Sequence, residues 1–152
     1  HGDGGTLEIF KLMKEKGIGL CPTLAAGDAI TQYQGWNKAT DPEPERIQQK
    51  RKSFKMALAS GVQIVFGGDV GVFPHGENYR EMELMVDYGM KPLAVLKSAT
   101  SDNANMFHLN QLGRLKEGFL ADIIAIKGNP VKDISSVKNV SFVMKDGVIY
   151  KE

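Results

Sequence analysis

The stretch Val62-Gln63-Ile64-Val65-Phe66-Gly67-Gly68-Asp69 decides the fold class of this chain. Its first five residues form a nearly continuous apolar run, which is typical of a strand buried on both faces of a parallel sheet. The two glycines allow the backbone to turn sharply and to approach a ligand closely. Because functional groups lie at the C-terminal ends of parallel strands, the sequence predicts a functional site around Asp69.

Helices and strands alternate in the residues before this stretch. Residues 45–60 predict an amphipathic helix, which Gly61 ends. Residues 6–16 predict an earlier helix, and residues 18–22 form a short apolar run typical of a buried strand. This alternation predicts an α/β fold in which residues 18–22 and 62–66 are adjacent parallel strands, with the helix over residues 45–60 crossing between them.

The rest of the chain is less regular. Glycines and prolines interrupt residues 25–44, which are therefore predicted as a long loop with one or two helical turns. Three helices are predicted after Asp69: residues 78–87, residues 92–99, and a segment through Phe107 capped by Ser101 or Asp102. Strand-like runs follow at residues 114–115, 122–126, 141–144 and 148–150, with a hairpin turn at Asp146-Gly147.

Composition excludes two classes of partner. The chain has 152 residues with 19 basic and 18 acidic side chains, so no strong field attracts nucleic acid. Its longest apolar runs are too short to cross a bilayer.

The single Cys21 excludes an intrachain disulfide. The first residue is His1 rather than Met, so we expect the natural N-terminus to be missing, and a cytoplasmic location is favoured.

Two residues near the predicted strand ends are candidates for chemistry. The Asp69 carboxylate can bind a cation through oxygen, or accept a proton from water that a cation activates. Its alternative role is to cap a turn or the next helix. His75 can contact a substrate or support a metal ligand, and its alternative role is a hydrogen bond that orders the loop.

Other polar residues are weaker candidates. Cys21 has no histidine nearby in the sequence to activate its thiol, so it is interpreted as a small core residue. Thr23 is a candidate lining residue of the site. Arg80, Glu81 and Glu83 are expected to lie on a solvated helix face or in ion pairs.

Several ordered motifs resemble the amidohydrolase superfamily. Gly68-Asp69-Val70-Gly71-Val72-Phe73-Pro74-His75-Gly76 and the residues 78–84 are similar to its eighth-strand loop and helix. The most similar subgroup is that of the imidazolonepropionase-like and prolidase-like enzymes. The resemblance continues through residues 92–96, 99–104, 113–118, 121–125, 129–130 and 143–147.

This resemblance implies a (β/α)8 TIM-like barrel joined to a small β-sandwich. Residues 1–110 would be the C-terminal portion of the barrel, strands 6 to 8, and residues 111–152 a segment of the sandwich. It further implies one or two divalent metal ions, with zinc as the first choice. Asp69 would be the strand-8 metal ligand and proton shuttle, and His1, from strand 6, would be a ligand of the second metal ion.

The function implied by the resemblance is metal-dependent hydrolysis of amide or peptide bonds. A prolidase-like dipeptidase is the first choice, because residues 72–76 favour it. The alternatives are a cyclic-amide hydrolase of the imidazolonepropionase type and a non-catalytic α/β fragment. Because the ligands from earlier strands are absent, we expect the chain to be inactive alone. The expected partners are a small peptide or cyclic amide, and either a second copy of the chain or a missing N-terminal half.

Overall fold

The structure, a computed structural model, describes all residues from His1 to Glu152. The chain divides into two compact units, His1–Met90 and Lys91–Glu152. The predicted division into a barrel portion over residues 1–110 and a sandwich segment over residues 111–152 stays a prediction. No helix in the chain is both long enough and apolar enough to cross a membrane.

The first unit contains four helices: α1 (Leu7–Glu15), α2 (Leu24–Tyr33), α3 (Glu45–Ser60) and α4 (Tyr79–Asp87). The predictions of α1, α3 and α4 are confirmed. Helix α1 begins where the Thr6 hydroxyl accepts the N–H of Ile9 at 3.3 Å. Helix α3 ends at Gly61, whose φ of 72° is a left-handed conformation that glycine adopts without steric cost.

The two predicted strands of this unit pair in parallel at one bridge, between Leu20 and Ile64. The Leu20 N–H donates to the Gln63 carbonyl at 2.8 Å, and the Val65 N–H donates to the Leu20 carbonyl at 2.9 Å. Helix α3 connects the two segments, so the predicted parallel neighbours are confirmed. Pairing is limited to this bridge, and the predicted strand lengths are not confirmed.

The prediction of a loop over residues 25–44 is wrong in its first half, where α2 lies. Sequence periodicity misses this helix because nearly all of its faces are buried, so it has no polar stripe. Position 27 inside α2 requires glycine, because a Cβ there would be 2.0 Å from Cε of the buried Lys50. The glycine therefore allows α2 and α3 to approach each other closely.

The core of the first unit lies between its helices and the parallel bridge. The Phe54 and Tyr88 rings meet edge to face, with their centroids 6.4 Å apart. The Arg51 guanidinium covers the Tyr88 ring, with its carbon 4.1 Å from the ring centroid. The larger buried apolar side chains of this unit are Phe10, Leu20, Leu24, Ile47, Phe54, Val62, Ile64, Val65, Phe73, Leu84, Met85 and Tyr88.

The second unit begins with a continuous helical segment. It consists of α5 (Pro92–Lys97), a π-helical turn (Ser98–Asp102) and α6 (Asn103–Met106). The predicted new start at Ser101 or Asp102 is wrong. Asp102 has φ −76° and ψ −38°, which is helical backbone, and its side chain makes no capping hydrogen bond. A capping residue needs extended backbone, whereas the π-helical turn keeps this position helical.

A three-stranded antiparallel sheet follows, formed by β1 (Ile123–Ile126), β2 (Val140–Lys145) and β3 (Val148–Lys151) in that order. A 3₁₀-helix, Ile134–Lys138, lies between β1 and β2. The predicted hairpin turn is confirmed: Asp146 and Gly147 have φ of 51° and 77°, as a type I′ turn requires. The predicted strand at residues 114–115 is wrong.

Gly113 in this unit allows a close backbone contact. Its φ is 79°, and an added Cβ would lie 2.7 Å from the carbonyl oxygen of Thr100. We expect Gly113→Ala to lower the free energy of unfolding by about 3 kcal/mol, because a backbone clash adds to the cost of left-handed alanine. Denaturant unfolding of the full-length protein measures this loss.

Gly118→Ala is the matched control for this prediction. Gly118 has φ 81°, and an added Cβ there would meet open space. The control should therefore lose only about 1–2 kcal/mol, the cost of left-handed alanine. Equal losses in the two variants would show that the Gly113 contact has no energetic importance.

Candidate active site

Asp69 lies just beyond the parallel bridge, in an unusual backbone conformation. Its φ is 61°, which is left-handed and uncommon for a residue other than glycine. Such strain costs about 1–3 kcal/mol and concentrates at functional sites. The Asp69 side chain is 47% exposed, so its carboxylate is open to a ligand.

The structure brings His1 next to Asp69. Nε2 of His1 lies 3.9 Å from Oδ2 of Asp69, and the His1 side chain is 64% exposed. The residue after His1, Gly2, packs near Leu20 at the parallel bridge, where an added Cβ would be 3.6 Å from the leucine side chain. His1 therefore lies beside Asp69, which follows the bridge segment of Ile64 along the chain.

The two donor atoms fit part of a divalent metal site. Zinc takes histidine nitrogen and carboxylate oxygen at about 2.0–2.2 Å, so atoms 3.9 Å apart can serve one cation or two neighbouring ones. The chain contains no group of three or more His, Cys, Asp or Glu side chains that could hold a metal ion. It therefore supplies at most part of a ligand set, since zinc takes three or four protein ligands.

His75 is not brought into this pair. It lies exposed on the loop beyond Asp69 and has no hydrogen bond or ion pair with His1 or Asp69. Its predicted contact with substrate stays a prediction, as do the predicted roles of His1 and Asp69.

Thr23 contacts His1 at Nδ1, the ring nitrogen that does not face Asp69. Its hydroxyl oxygen shares a hydrogen bond with Nδ1 of His1. Thr23 is only 8% exposed, and its φ of 49° is left-handed, which is rare for a β-branched residue. Thr23 was predicted only as a weak candidate, because no local sequence signal indicates either this conformation or this contact.

The expectation that Glu81 lies on a solvated helix face or in an ion pair is wrong. Glu81 is fully buried rather than solvated, at 0% exposure. Its Oε1 accepts the N–H of Leu24 at 3.0 Å, and its Oε2 accepts the N–H of Ala25 at 2.6 Å. These donors belong to the first turn of α2, where helical N–H groups have no partner within the helix. Glu81 therefore anchors the helix that begins directly after Thr23.

Burial and hydrogen bonding act in opposite directions on Glu81. Burial raises the pKa of this carboxyl group to about 7, against the lowering effect of the two N–H groups and of the Lys50 charge. The positive end of the α2 dipole also favours the ionised form. Glu81 is therefore a buried acid that titrates near neutral pH.

Lys50 and Ser53 of α3 fix the segment that carries His1. The Lys50 ammonium is buried and forms an ion pair with Asp3. It also lies 3.5 Å from the carbonyl oxygen of Thr23. The Ser53 hydroxyl donates to the carbonyl oxygen of Gly2. These contacts fix the backbone on both sides of the hydrogen bond between His1 and Thr23.

Cys21 has the environment of an unreactive thiol. Its Sγ donates to the carbonyl oxygen of Gly67 at 3.5 Å. Burial raises the pKa of the Cys21 thiol, and the nearby Glu81 charge raises it further. The thiol is therefore mostly protonated at neutral pH, which agrees with its interpretation as a small packing residue.

The chain combines a parallel bridge between two β-segments that a helix connects with a histidine and an aspartate near its C-terminal side, which is where α/β proteins place their functional groups. Residues 1–150 match the model of the Amidohydrolase family. The chain therefore belongs to the amidohydrolase family, as the sequence motifs predicted.

Curated and solved relatives agree with this assignment. The ochratoxinase of Aspergillus niger is 33% identical over an alignment of 158 residues, gaps included, which covers 95% of this chain and 32% of that protein. A crystal structure of a Xaa-Pro dipeptidase with bound methionine in the active site matches with a TM-score of 0.89 and 37% identity, over 100% of this chain and 39% of that chain. A prolidase complexed with N-methylphosphonate-L-proline matches with a TM-score of 0.76 and 28% identity, over 100% and 39%.

The chain thus spans about a third of the ochratoxinase and two fifths of the two solved structures. All of it superposes on part of the Xaa-Pro dipeptidase, so it has the fold of a portion of an amidohydrolase. The assignment of that portion to barrel strands 6 to 8 stays a prediction.

Proposed function

We propose that the protein to which this chain belongs hydrolyses amide bonds with the help of a divalent metal ion, zinc being the first choice. The observation that supports this most strongly is the His1–Asp69 pair, with Nε2 and Oδ2 3.9 Å apart at the end of the parallel bridge. Membership of the amidohydrolase family and likeness to an ochratoxinase and a Xaa-Pro dipeptidase support the same class of reaction.

In this proposal His1 and Asp69 both bind the metal ion, and Asp69 also transfers a proton. When bound, a divalent metal ion would lower the pKa of the attacking water and polarise the substrate carbonyl. His1 would hold the ion through Nε2, since its Nδ1 is already hydrogen-bonded to Thr23. The half-exposed carboxylate of Asp69 would bind the ion, accept a proton from the attacking water and donate it to the leaving nitrogen.

For the substrate we propose a dipeptide with a C-terminal proline. The likeness to a Xaa-Pro dipeptidase, at 37% identity over the whole chain, supports this choice, as does the predicted resemblance of residues 72–76 to prolidase-like loops. The enzyme would then need a site for the substrate near Asp69, and His75 in the same loop is the proposed contact.

A substrate panel on the full-length, zinc-loaded protein tests this proposal. We expect hydrolysis of an Xaa-Pro dipeptide, loss of activity on chelation, and recovery when zinc returns. A cyclic amide of the imidazolone type is the comparison substrate. A preference for it would assign the enzyme to the alternative, imidazolonepropionase-like subgroup. Absence of amide hydrolysis by protein with confirmed metal content would contradict the proposed function.

A further inference from the structure

Thr23 is the residue that connects His1 to the buried part of the first unit. Its hydroxyl oxygen bonds to Nδ1 of His1, while Nε2 of the same ring faces Oδ2 of Asp69. The His1 side chain is mostly exposed and Thr23 is buried. The orientation of the exposed ring therefore depends on a partner that the fold holds in place.

The chemistry of imidazole makes this contact important for metal binding. A neutral ring carries one N–H and one lone pair, and only the nitrogen with the lone pair can bind a cation. The 3.9 Å between Nε2 and the Asp69 carboxylate is too long for a hydrogen bond, so a proton on Nε2 would have no hydrogen-bond acceptor in Asp69. A proton on Nδ1 instead donates to the Thr23 hydroxyl oxygen, which leaves the Nε2 lone pair free for a metal.

The position of Thr23 is itself maintained at a conformational cost. Its φ of 49° and ψ of 50° are left-handed, and such a conformation persists only where the surrounding contacts over-determine it. The fully buried carboxylate of Glu81 accepts the N–H groups of Leu24 and Ala25, the two residues that follow. The buried Lys50 ammonium lies 3.5 Å from the Thr23 carbonyl oxygen. Contacts from α4 and α3 thus fix the turn from both sides.

We propose that Thr23 is a positioning residue that sets the tautomer and orientation of His1 for metal binding, and that Glu81 holds Thr23 in its left-handed conformation. This inference rests on the proposed function, because it takes His1 as a metal ligand. It assigns a role in metal binding to two residues that carry no metal themselves.

Zinc affinity of the full-length protein tests the role of Thr23. Thr23→Val removes the hydroxyl with little change of shape, and we expect the zinc dissociation constant to rise by about 10–100-fold, the usual effect of losing an outer partner of a ligand. Thr23→Ser keeps the hydroxyl and should bind zinc like the wild type. Thr31→Val is the matched control, since Thr31 is a buried threonine of α2 whose hydroxyl donates to the Gly27 carbonyl oxygen at 2.8 Å.

The tautomer of His1 is a second readout that needs neither metal nor activity. In metal-free protein with 15N-labelled histidine, the signals that disappear in His1→Ala belong to His1. We expect them to report the Nδ1–H tautomer in the wild type, Thr23→Ser and Thr31→Val, and a mixture in Thr23→Val. We expect Glu81→Gln to weaken zinc binding in the same direction as Thr23→Val, because it disturbs the anchor of the turn.

The outcomes separate this inference from the proposed function. Wild-type zinc affinity and tautomer in Thr23→Val, with zinc binding weakened in His1→Ala, would overturn the positioning role and leave the hydrolase proposal intact. Unchanged zinc affinity in His1→Ala would overturn the metal role of His1 and this inference together. Wild-type affinity in Glu81→Gln alone would overturn the part assigned to Glu81.

Discussion

Asp69→Asn is expected to lower kcat/KM of the full-length enzyme for an Xaa-Pro dipeptide by at least about 10²–10⁴-fold, the usual contribution of a general acid–base group. The new side chain is nearly isosteric, and asparagine tolerates the left-handed backbone at this position, so the fold should persist. An amide, however, cannot accept a proton from water and binds a cation more weakly than a carboxylate. Kinetics with bound metal counted in each variant measure both effects.

Asp146→Asn is the matched control for Asp69→Asn. Asp146 also has a left-handed backbone, with φ 51°, and lies in the hairpin turn between β2 and β3. Asparagine before glycine suits this turn as well as aspartate does, so the control should keep its stability and its activity. If the Asp69→Asn enzyme kept most of its activity, the proposed role of Asp69 in proton transfer would be contradicted.

Glu81→Ala is expected to have the largest effect on stability, a loss of about 3–5 kcal/mol in the free energy of unfolding. The variant leaves the N–H groups of Leu24 and Ala25 buried without an acceptor, and each such group costs about 1–3 kcal/mol. Glu8→Ala is the control, because Glu8 is an exposed acidic residue in the first turn of α1. Its loss should be within about 1 kcal/mol.

The stability contributed by Glu81 should depend on pH in a defined direction. Its pKa is about 7 in the folded protein, against a usual value of 4.5. Between these values the folded protein holds a proton that the unfolded chain has lost, so the free energy of unfolding falls as the pH rises. The contribution is complete below about pH 4.5 and declines through pH 7.

Glu81→Gln tests this direction, because glutamine does not titrate. The difference in unfolding free energy between wild type and variant should shrink by up to about 3 kcal/mol from pH 4.5 to pH 8, since one pKa unit corresponds to about 1.4 kcal/mol. Denaturant unfolding across this range gives the two curves. Parallel curves would show that Glu81 keeps an ordinary pKa.

Local signals in the sequence predicted most of the helices. Helix α3 has the predicted bounds, Glu45–Ser60, because an amphipathic stripe and the terminal Gly61 both belong to the segment itself. Helix α2 was missed because its burial against α3 and α4 removes the polar face on which periodicity depends. The hairpin was predicted because the requirement for positive φ is satisfied by Asp146 and Gly147 themselves.

Local motifs in the sequence predicted only part of the candidate site. The resemblance pointed to His1 and Asp69, and the structure places them side by side. The supporting residues could not be predicted, because their partners lie far away in the sequence: the N–H of Leu24 is 57 residues from Glu81. The left-handed conformation of Thr23 likewise depends on tertiary contacts and has no sequence signal.

The central claim is that His1 and Asp69 belong to the metal site of an amide hydrolase. Anomalous diffraction at the zinc absorption edge, from crystals of the zinc-loaded full-length protein, tests it most directly. We predict one zinc ion or two neighbouring ions within bonding distance, about 2.0–2.2 Å, of Nε2 of His1 and a carboxylate oxygen of Asp69. Bound zinc that contacts neither residue would contradict the claim.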